Sequence, residues 1–358
     1  MSKTIIIIGA GLAGLSAALQ AAENGCNVKL VSSFPSERAQ SVMAEGGINA
    51  ALNTKDENDS PEEHFTDTIK AACGLADPNA VWGMTQAAPE LVHWLLKLGV
   101  KFNMSGYDDV DLRNFGGQKK KRTAFAQSDT GKQIMTAMID AVRRKEASGM
   151  VERFSHHSFL TLRLCGNICC GCVIRDEYSQ ETVELPGDAV IVATGGMHGL
   201  FGNTTGSLSN TGEVTAELFR LGVPLANGEM IQYHPTTVEC GGKRMLISEA
   251  ARGEGGRLFA MKDGKQWYFM EEKYPELGNL MPRDITAREI WKVSHESEVF
   301  LDMTEISDEI ISNKLSGLAD DCMTYLHKDI RKEPVSVLPG IHYFMGGIPV
   351  SYTHLRAH

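Results

Sequence analysis

The stretch Thr4-Ile5-Ile6-Ile7-Ile8-Gly9-Ala10-Gly11-Leu12-Ala13-Gly14 decides how this chain is read. Its isoleucine run has the β-branched, uniformly apolar character of a strand buried on both faces. The glycines behind it carry no Cβ to block a close backbone approach, and Leu12 to Asn24 then reads as a helix with Gly25 as its stop. Asn27 to Val31 is a second strand. Strand, Gly-x-Gly-x-x-Gly, helix and strand in this order place a helix N-terminus, with its free N–H groups and positive dipole end, where a pyrophosphate can sit. Gly9, Ala10, Gly11, Ala13 and Gly14 are therefore assigned to a dinucleotide. Ser32 and Ser33 stand where many such sites carry an acid for the ribose hydroxyls, which argues against a nicotinamide site and leaves the ribose to hydroxyls or backbone.

Further along, Ser60-Pro61-Glu62-Glu63 is a helix start signal and Gly99 ends a run containing Leu91, Trp94, Leu95 and Leu98, so residues 61 to 98 are expected as helices over the sheet. Gly131 to Arg144 reads as another helix, and residues 157 to 185 as short antiparallel strands ending near Pro186-Gly187. Asp188 to Thr194 is expected as a buried strand. From about Asn227 to Pro339 glycine-rich loops, charged helices and isolated aromatics suggest a second domain inserted into the first. The expected class is α/β, a Rossmann-like domain with an inserted α+β capping domain. The divisions are 1–226 (helical segment 55–145, strands 157–185), 227–340 for the cap, a return at 341–350, and an atypical tail at 351–358.

A length of 358 residues with 42% hydrophobic content suits a two-domain globular chain. The net charge of −10 and the shortness of the basic run Lys119-Lys120-Lys121-Arg122 exclude nucleic acid as a partner. Ile5 to Ile8 is too short for a membrane span or a secretory segment, so a cytoplasmic chain with free thiols is expected. Cys165, Cys169, Cys170 and Cys172 match no metal template, and the turn at Gly166-Asn167 makes them hairpin filler; no metal site is expected.

Several segments together carry a resemblance. Glu45-Gly46-Gly47-Ile48-Asn49-Ala50-Ala51-Leu52, Phe115-Gly116-Gly117-Gln118 with Arg122-Thr123, Ala193-Thr194-Gly195-Gly196 and Asn210-Thr211-Gly212-Glu213 are followed by Gln232-Tyr233-His234-Pro235-Thr236. Ser248-Glu249-Ala250-Ala251-Arg252-Gly253-Glu254-Gly255-Gly256, Arg283-Asp284 with Arg288, and His342-Tyr343-Phe344-Met345-Gly346-Gly347-Ile348 complete the set. In this order they resemble the flavoprotein subunits of succinate dehydrogenases and fumarate reductases, over residues 4 to about 349. The resemblance implies a GR2-type FAD-binding domain, with Gln40, Ser41, Ala44, Glu45, Gly46, Gly47, Ala193, Thr194, Gly195 and Glu213 joining the glycine loop and Ser32-Ser33 around FAD.

It also implies hydride transfer between flavin N5 and a C4 dicarboxylate, interconverting fumarate and succinate. Both carboxylates need donors where negative charge develops. His234, Ser248 and His342 would supply them, with Phe115 beside the substrate; the family usually has threonine at the position of Ser248, and the hydroxyl is kept. Arg283 would deliver the proton. An arginine suits that task only if reprotonated at once, and Glu249 with Arg252 match the family's relay. An iron–sulfur subunit is the implied electron partner, which allows a cytoplasmic chain to be held at the inner face of a membrane.

Each of these residues also has a plain structural reading: His234 as a core histidine before a turn proline, Glu249 and Arg252 as an i,i+3 surface pair, Arg283 as a partner of Asp284. Found together in family order, they favour the functional one.

Two departures shape the expectation. Gln40 stands where membrane-bound relatives carry FAD on a histidine, so the cofactor is expected to be non-covalent and fumarate reduction the working direction. After Val350 the family continues through a substrate-binding arginine and a helical domain, whereas Ser351 to His358 resembles neither; a fragment with a foreign tail and doubtful activity is the expectation. The rivals are an L-aspartate oxidase, which tends to place an acid in the segment occupied by Phe115-Gly116-Gly117-Gln118, another 2-enoate reductase of the same fold, and, from a different class, a non-catalytic FAD electron carrier.

Overall fold

A computed structural model describes residues 2–115 and 118–349, so the tail beyond Pro349 and the glycine pair after Phe115 lie outside the described residues. The strands Ala189–Val192, Thr4–Ile8, Asn27–Ser32 and Val151–Ser155 pair in that order as one parallel sheet. Alternation along each strand divides two cores. Ile7 and Leu30 face the helices Leu12–Glu23, Pro78–Leu98 and Thr130–Ala147, while Ile6, Ile8 and Val31 face Phe159, Ile174 and Leu185 of an antiparallel sheet built from His157–Cys165, Ile168–Asp176 and Thr182–Pro186. Ile6 and Ile7 are both fully buried, which is why the sequence shows an unbroken apolar run there and no alternation.

The first strand has its successor on one side and Ala189–Val192 on the other. Chain direction therefore diverges at its carboxyl end, the place where open α/β sheets form a ligand crevice. The start signals at the next helices are realised: Ser60 accepts the N–H of Glu63 at 3.2 Å ahead of Pro61–Ala71, and Gly99 ends Pro78–Leu98 at φ 104°. Val151–Ser155 is a strand that no pattern announced, because Glu152 and Arg153 interrupt its apolar residues.

Two expectations are corrected. The strand near Asp188 to Thr194 is shorter, Ala189–Val192, and lies at the sheet edge among the described residues, with Ile191 39% exposed; an apolar run shows that a strand packs, not that neighbours cover both sides. The thiols are not all free. Cys165 and Cys170 form a disulfide with Cα atoms 6.2 Å apart, and the other six cysteines are free. The hairpin register slips between Arg163 and Leu164, and this bulge brings Cys170 across to Cys165. No metal-binding group of side chains occurs among the described residues.

A third core gathers Ile247, Leu258, Phe269, Ile290, Leu301 and Val335. It packs around the sheet of Lys265–Trp267, Arg257–Lys262, Val299–Asp302 and Val335–Ser336. Ile231–Cys240 runs antiparallel to both Lys243–Leu246 and Leu338–Phe344 in a separate three-stranded sheet. No helix among the described residues is long and apolar enough to cross a membrane.

Candidate active site

The glycine loop closes around its own backbone. A Cβ on Gly14 would stand 1.8 Å from the Gly9 carbonyl oxygen, and one on Gly9 would stand 2.3 Å from the carbonyl oxygen of Ala193. Gly9 also sits at φ 110°, a left-handed conformation. Gly11 is the N-cap of Leu12–Glu23 and no side chain caps it, so the first turn keeps N–H groups free for an anion. The N–H of Leu12 is taken by Ser41 Oγ at 3.2 Å, which docks the Gln40–Met43 turn beside the loop. Ala193 seals the other side, its N–H donating to Ile8 O at 2.7 Å, and Thr194 and Gly195 continue from it, Gly195 at φ 73°. Glu213 opens the helix Glu213–Arg220 and is exposed.

At the end of the second strand Ser32 Oγ is buried with no hydrogen-bond partner, whereas Ser33 Oγ is held by Ser158 Oγ at 3.2 Å. A buried orphan hydroxyl is costly unless a ligand meets it. With the helix-start N–H groups beyond Leu12 left for an anion and the Cβ-free loop, the residues present fit FAD.

The Glu45-Gly46-Gly47 segment is held by a residue that sequence reasoning passed over. Arg113 donates to Glu45 O at 3.2 Å and to Gly46 O at 3.1 Å, and its guanidinium lies 4.4 Å from the Phe125 ring centroid. The only sequence signal was its place just ahead of Phe115. That ring packs so closely on Gly46 that a Cβ there would meet it at 2.7 Å. Gly131 was read only as a helix start; its N–H donates to Ala44 O at 2.6 Å, and a Cβ on it would stand 2.2 Å from Ser41 O. Glu45 has Oε2 buried without a partner and Ser248 in hydrogen-bonding reach; burial first, then the charge of Asp321, pushes its carboxyl up to about 8. Ser248 is the N-cap of the helix Glu249–Gly253.

A cluster of charged and imidazole side chains forms where the helix Glu249–Gly253 meets Ile231–Cys240, Leu338–Phe344 and Arg283–Val293. Arg283 Nε donates to Glu249 Oε2 at 2.8 Å and its Nη1 to Gln232 Oε1 at 2.7 Å. On the other carboxylate oxygen, Arg252 Nη2 donates at 3.1 Å, and Arg252 Nη1 reaches Asn279 O at 2.6 Å. Burial alone would raise the Glu249 carboxyl, yet Arg252 and Arg283 overcome it and hold the group below the usual carboxylate range. Burial likewise lowers the Arg252 guanidinium. Glu249 and Arg252 are thus an i,i+3 pair, as the plain reading has it, but side-chain exposures of 3% and 0% place them inside. Asp284 pairs with Arg288 at 3.6 Å on the surface and leaves Arg283 to Glu249.

His234 and His342 lie on neighbouring antiparallel strands with ring centroids 5.0 Å apart. Each stands at a break in register: Pro235 removes a ladder donor after His234, and His342 is the extra residue opposite Gln232 and Tyr233. Such bulges re-aim a side chain. Burial, then the charge of Arg283, lowers both rings, His234 well below its ordinary value and His342 to about 4. Both are neutral hydrogen-bonding groups at pH 7.

A parallel sheet with a Cβ-free loop at its switch point and an unpartnered hydroxyl at the end of the second strand define a dinucleotide-binding fold. The chain belongs to the FAD binding domain family, which it matches over residues 4–356, and FAD is the cofactor of its dinucleotide site. It is 43% identical over 362 residues to the succinate dehydrogenase flavoprotein subunit of Bacillus subtilis, covering 99% of this chain and 62% of that protein. An uncharacterized FAD-dependent oxidoreductase of Methanocaldococcus jannaschii is 32% identical over 98% of this chain and 64% of its own length. Among solved structures, E. coli quinol fumarate reductase superposes with a TM-score of 0.88 at 28% identity, covering 97% of this chain and 61% of that one. Mycobacterium smegmatis Sdh1 gives 0.79 at 30% identity, covering 98% and 60%. The chain spans about three-fifths of the length of these relatives.

Proposed function

We propose that this chain is the FAD-carrying part of an oxidoreductase that interconverts fumarate and succinate and works toward fumarate reduction. Bound FAD supplies or accepts the hydride at one carbon of the substrate; the chain's own residues handle the carboxylates and the proton. The observation that carries the reading is the unbroken contact Arg283–Glu249–Arg252, in which one buried carboxylate touches a guanidinium on each of its oxygens.

Arg283, with 26% of its side chain exposed, is the member able to meet a ligand. It gives a proton to the substrate carbon opposite the one receiving hydride. Glu249 passes it a proton taken from Arg252, so the relay supplies one of the two hydrogens added to fumarate and the hydride supplies the other. His234, His342 and Ser248 orient the dicarboxylate by hydrogen bonds; as neutral rings the histidines place no fixed charge against the cationic Arg283. Phe115 closes the wall beside Gly46. On the division into a cofactor domain (1–226 with the return from 341) and a cap (227–340), Arg283, Glu249, Arg252, His234 and Ser248 come from the cap and His342 from the returning strand.

Gln40 Oε1 accepts the N–H of Ser207 at 2.5 Å, and an amide in that position supports non-covalent FAD. An iron–sulfur subunit is the electron partner this reading calls for. Dye-coupled fumarate reduction by the flavin-loaded protein tests it: Arg283→Ala is expected to lose at least ~1000-fold in kcat while keeping bound flavin. Equal turnover by the two proteins would leave only an electron carrier.

A further inference from the structure

Both site histidines meet a threonine residue through Nδ1. At His234, Nδ1 lies 3.1 Å from the carbonyl oxygen of Thr236 and 3.2 Å from its backbone nitrogen, so the backbone holds the ring in place and leaves both neutral tautomers a partner. At His342 the neighbour is a side chain, with Thr205 Oγ1 2.7 Å from Nδ1. Thr205 is itself buried, at 5% exposure. Its hydroxyl has one other acceptor in reach, Ile341 O at 3.5 Å, and that carbonyl already takes the Thr205 N–H at 2.9 Å. The shorter contact is the better outlet for the hydroxyl proton.

The loop bearing Thr205 is fixed at both ends. Thr204 bridges to Ile341 in the strand that carries His342, and Thr204 Oγ1 accepts the N–H of Gly206 at 3.0 Å. Ser207 gives its N–H to Gln40 Oε1, and the next residue, Ser41, accepts the N–H of Leu12 at the start of the cofactor helix. Three hydrogen bonds joined by one- and two-residue lengths of backbone therefore connect the glycine loop to the His342 ring.

We propose that Thr205 is a positioning residue: its hydroxyl donates to His342 Nδ1, fixes the Nε2–H form of the ring and aims that N–H at the substrate, while Gln40 and Ser207 lock its loop to the cofactor cradle. His342 is thus oriented by a side chain, whereas His234 is held by the backbone of its own strand. The dicarboxylate role rests on the function proposed above; the ring orientation does not.

The test uses the flavin-loaded protein with ¹⁵N-labelled histidine. Ring nitrogen shifts are expected to show His342 as Nε2–H in the wild type, as a mixture of tautomers in Thr205→Val, and as Nε2–H again in Thr205→Ser. Alongside, Thr205→Val should raise KM for fumarate by roughly tenfold with kcat changed less than about threefold, the size of one lost hydrogen bond, and Thr205→Ser should restore it. An Nδ1–H tautomer in the wild type, or a tautomer unchanged in Thr205→Val, overturns the proposal whatever the activity. Absence of fumarate turnover in a wild type with the expected tautomer would instead remove the function proposed above and leave the orientation standing.

Discussion

Glu249 accepts from two arginines at once, Arg283 Nε on Oε2 at 2.8 Å and Arg252 Nη2 on Oε1 at 3.1 Å. Replacing it by glutamine keeps the shape and removes the charge between two guanidiniums. Glu249→Gln is expected to lower fumarate turnover by at least ~100-fold and stability by about 3 kcal/mol, since it leaves buried cations uncompensated. Single-turnover oxidation of reduced flavin and urea unfolding measure the two effects.

Gly14→Ala tests the cofactor cradle. A methyl group 1.8 Å from the Gly9 carbonyl oxygen has no room, and the loop must open to accept it. The variant is expected to purify without its 450 nm flavin band and to be destabilised by more than about 2 kcal/mol. Retention of stoichiometric FAD would disprove the close-approach reading.

Acid precipitation of the yellow protein should leave FAD in the supernatant and a colourless pellet. The Gln40 amide is engaged with the Ser207 N–H and is no nucleophile toward the flavin. Colour that survives in the pellet through denaturing washes would show a covalent bond.

Glu45 sets a pH dependence. Its folded pKa of about 8 lies above the ordinary 4.5, so the folded state binds more protons than the unfolded state between those values. Its contribution is complete below about pH 4.5 and is lost as pH rises through about 8. Relative to wild type, Glu45→Gln should be unchanged in stability at pH 5 and more stable at pH 8.5, by on the order of 2 kcal/mol. Parallel stability profiles would rule out a buried neutral carboxyl.

Arg122 is the last residue of the basic run and the one its surroundings use most. With 1% of its side chain exposed it pairs with Asp59 and Asp67, each at 2.9 Å, while Lys121 lies 3.7 Å from Glu57 at the surface. Arg122→Met should cost about 3–5 kcal/mol and Lys121→Met less than about 1 kcal/mol, measured by urea unfolding.

Much of the cofactor half was legible because its signals are local. Gly9, Gly11 and Gly14, the cap at Ser60 and the stop at Gly99 each act within a few residues, and the structure realises them. Arg113 and Gly131 were missed for the opposite reason: their partners, Gly46 O and Ala44 O, are 67 and 87 positions away, and nothing beside an arginine or a glycine in the chain records what it will meet. The strand Val151–Ser155 escaped because Glu152 and Arg153, adjacent and so on opposite faces, break any apolar alternation, and only the neighbouring strand supplies the pairing. The Cys165–Cys170 bond escaped because it depends on a bulge, a slip in register that composition does not carry.

By itself the sequence determined the parallel-sheet class, the dinucleotide loop and the set of residues that could do the chemistry, since strand runs, helix ends and tight turns follow from side-chain shape and backbone freedom over short spans. Only the tertiary structure decided which of those residues meet. It buried Glu249 between two arginines when a surface pair was equally compatible with the spacing, turned Arg283 away from Asp284, and set His234 and His342 side by side. Those outcomes depend on strands and helices brought together by burial of apolar surface, and in that dry contact a charge survives only where an opposite charge or a donor has been placed beside it.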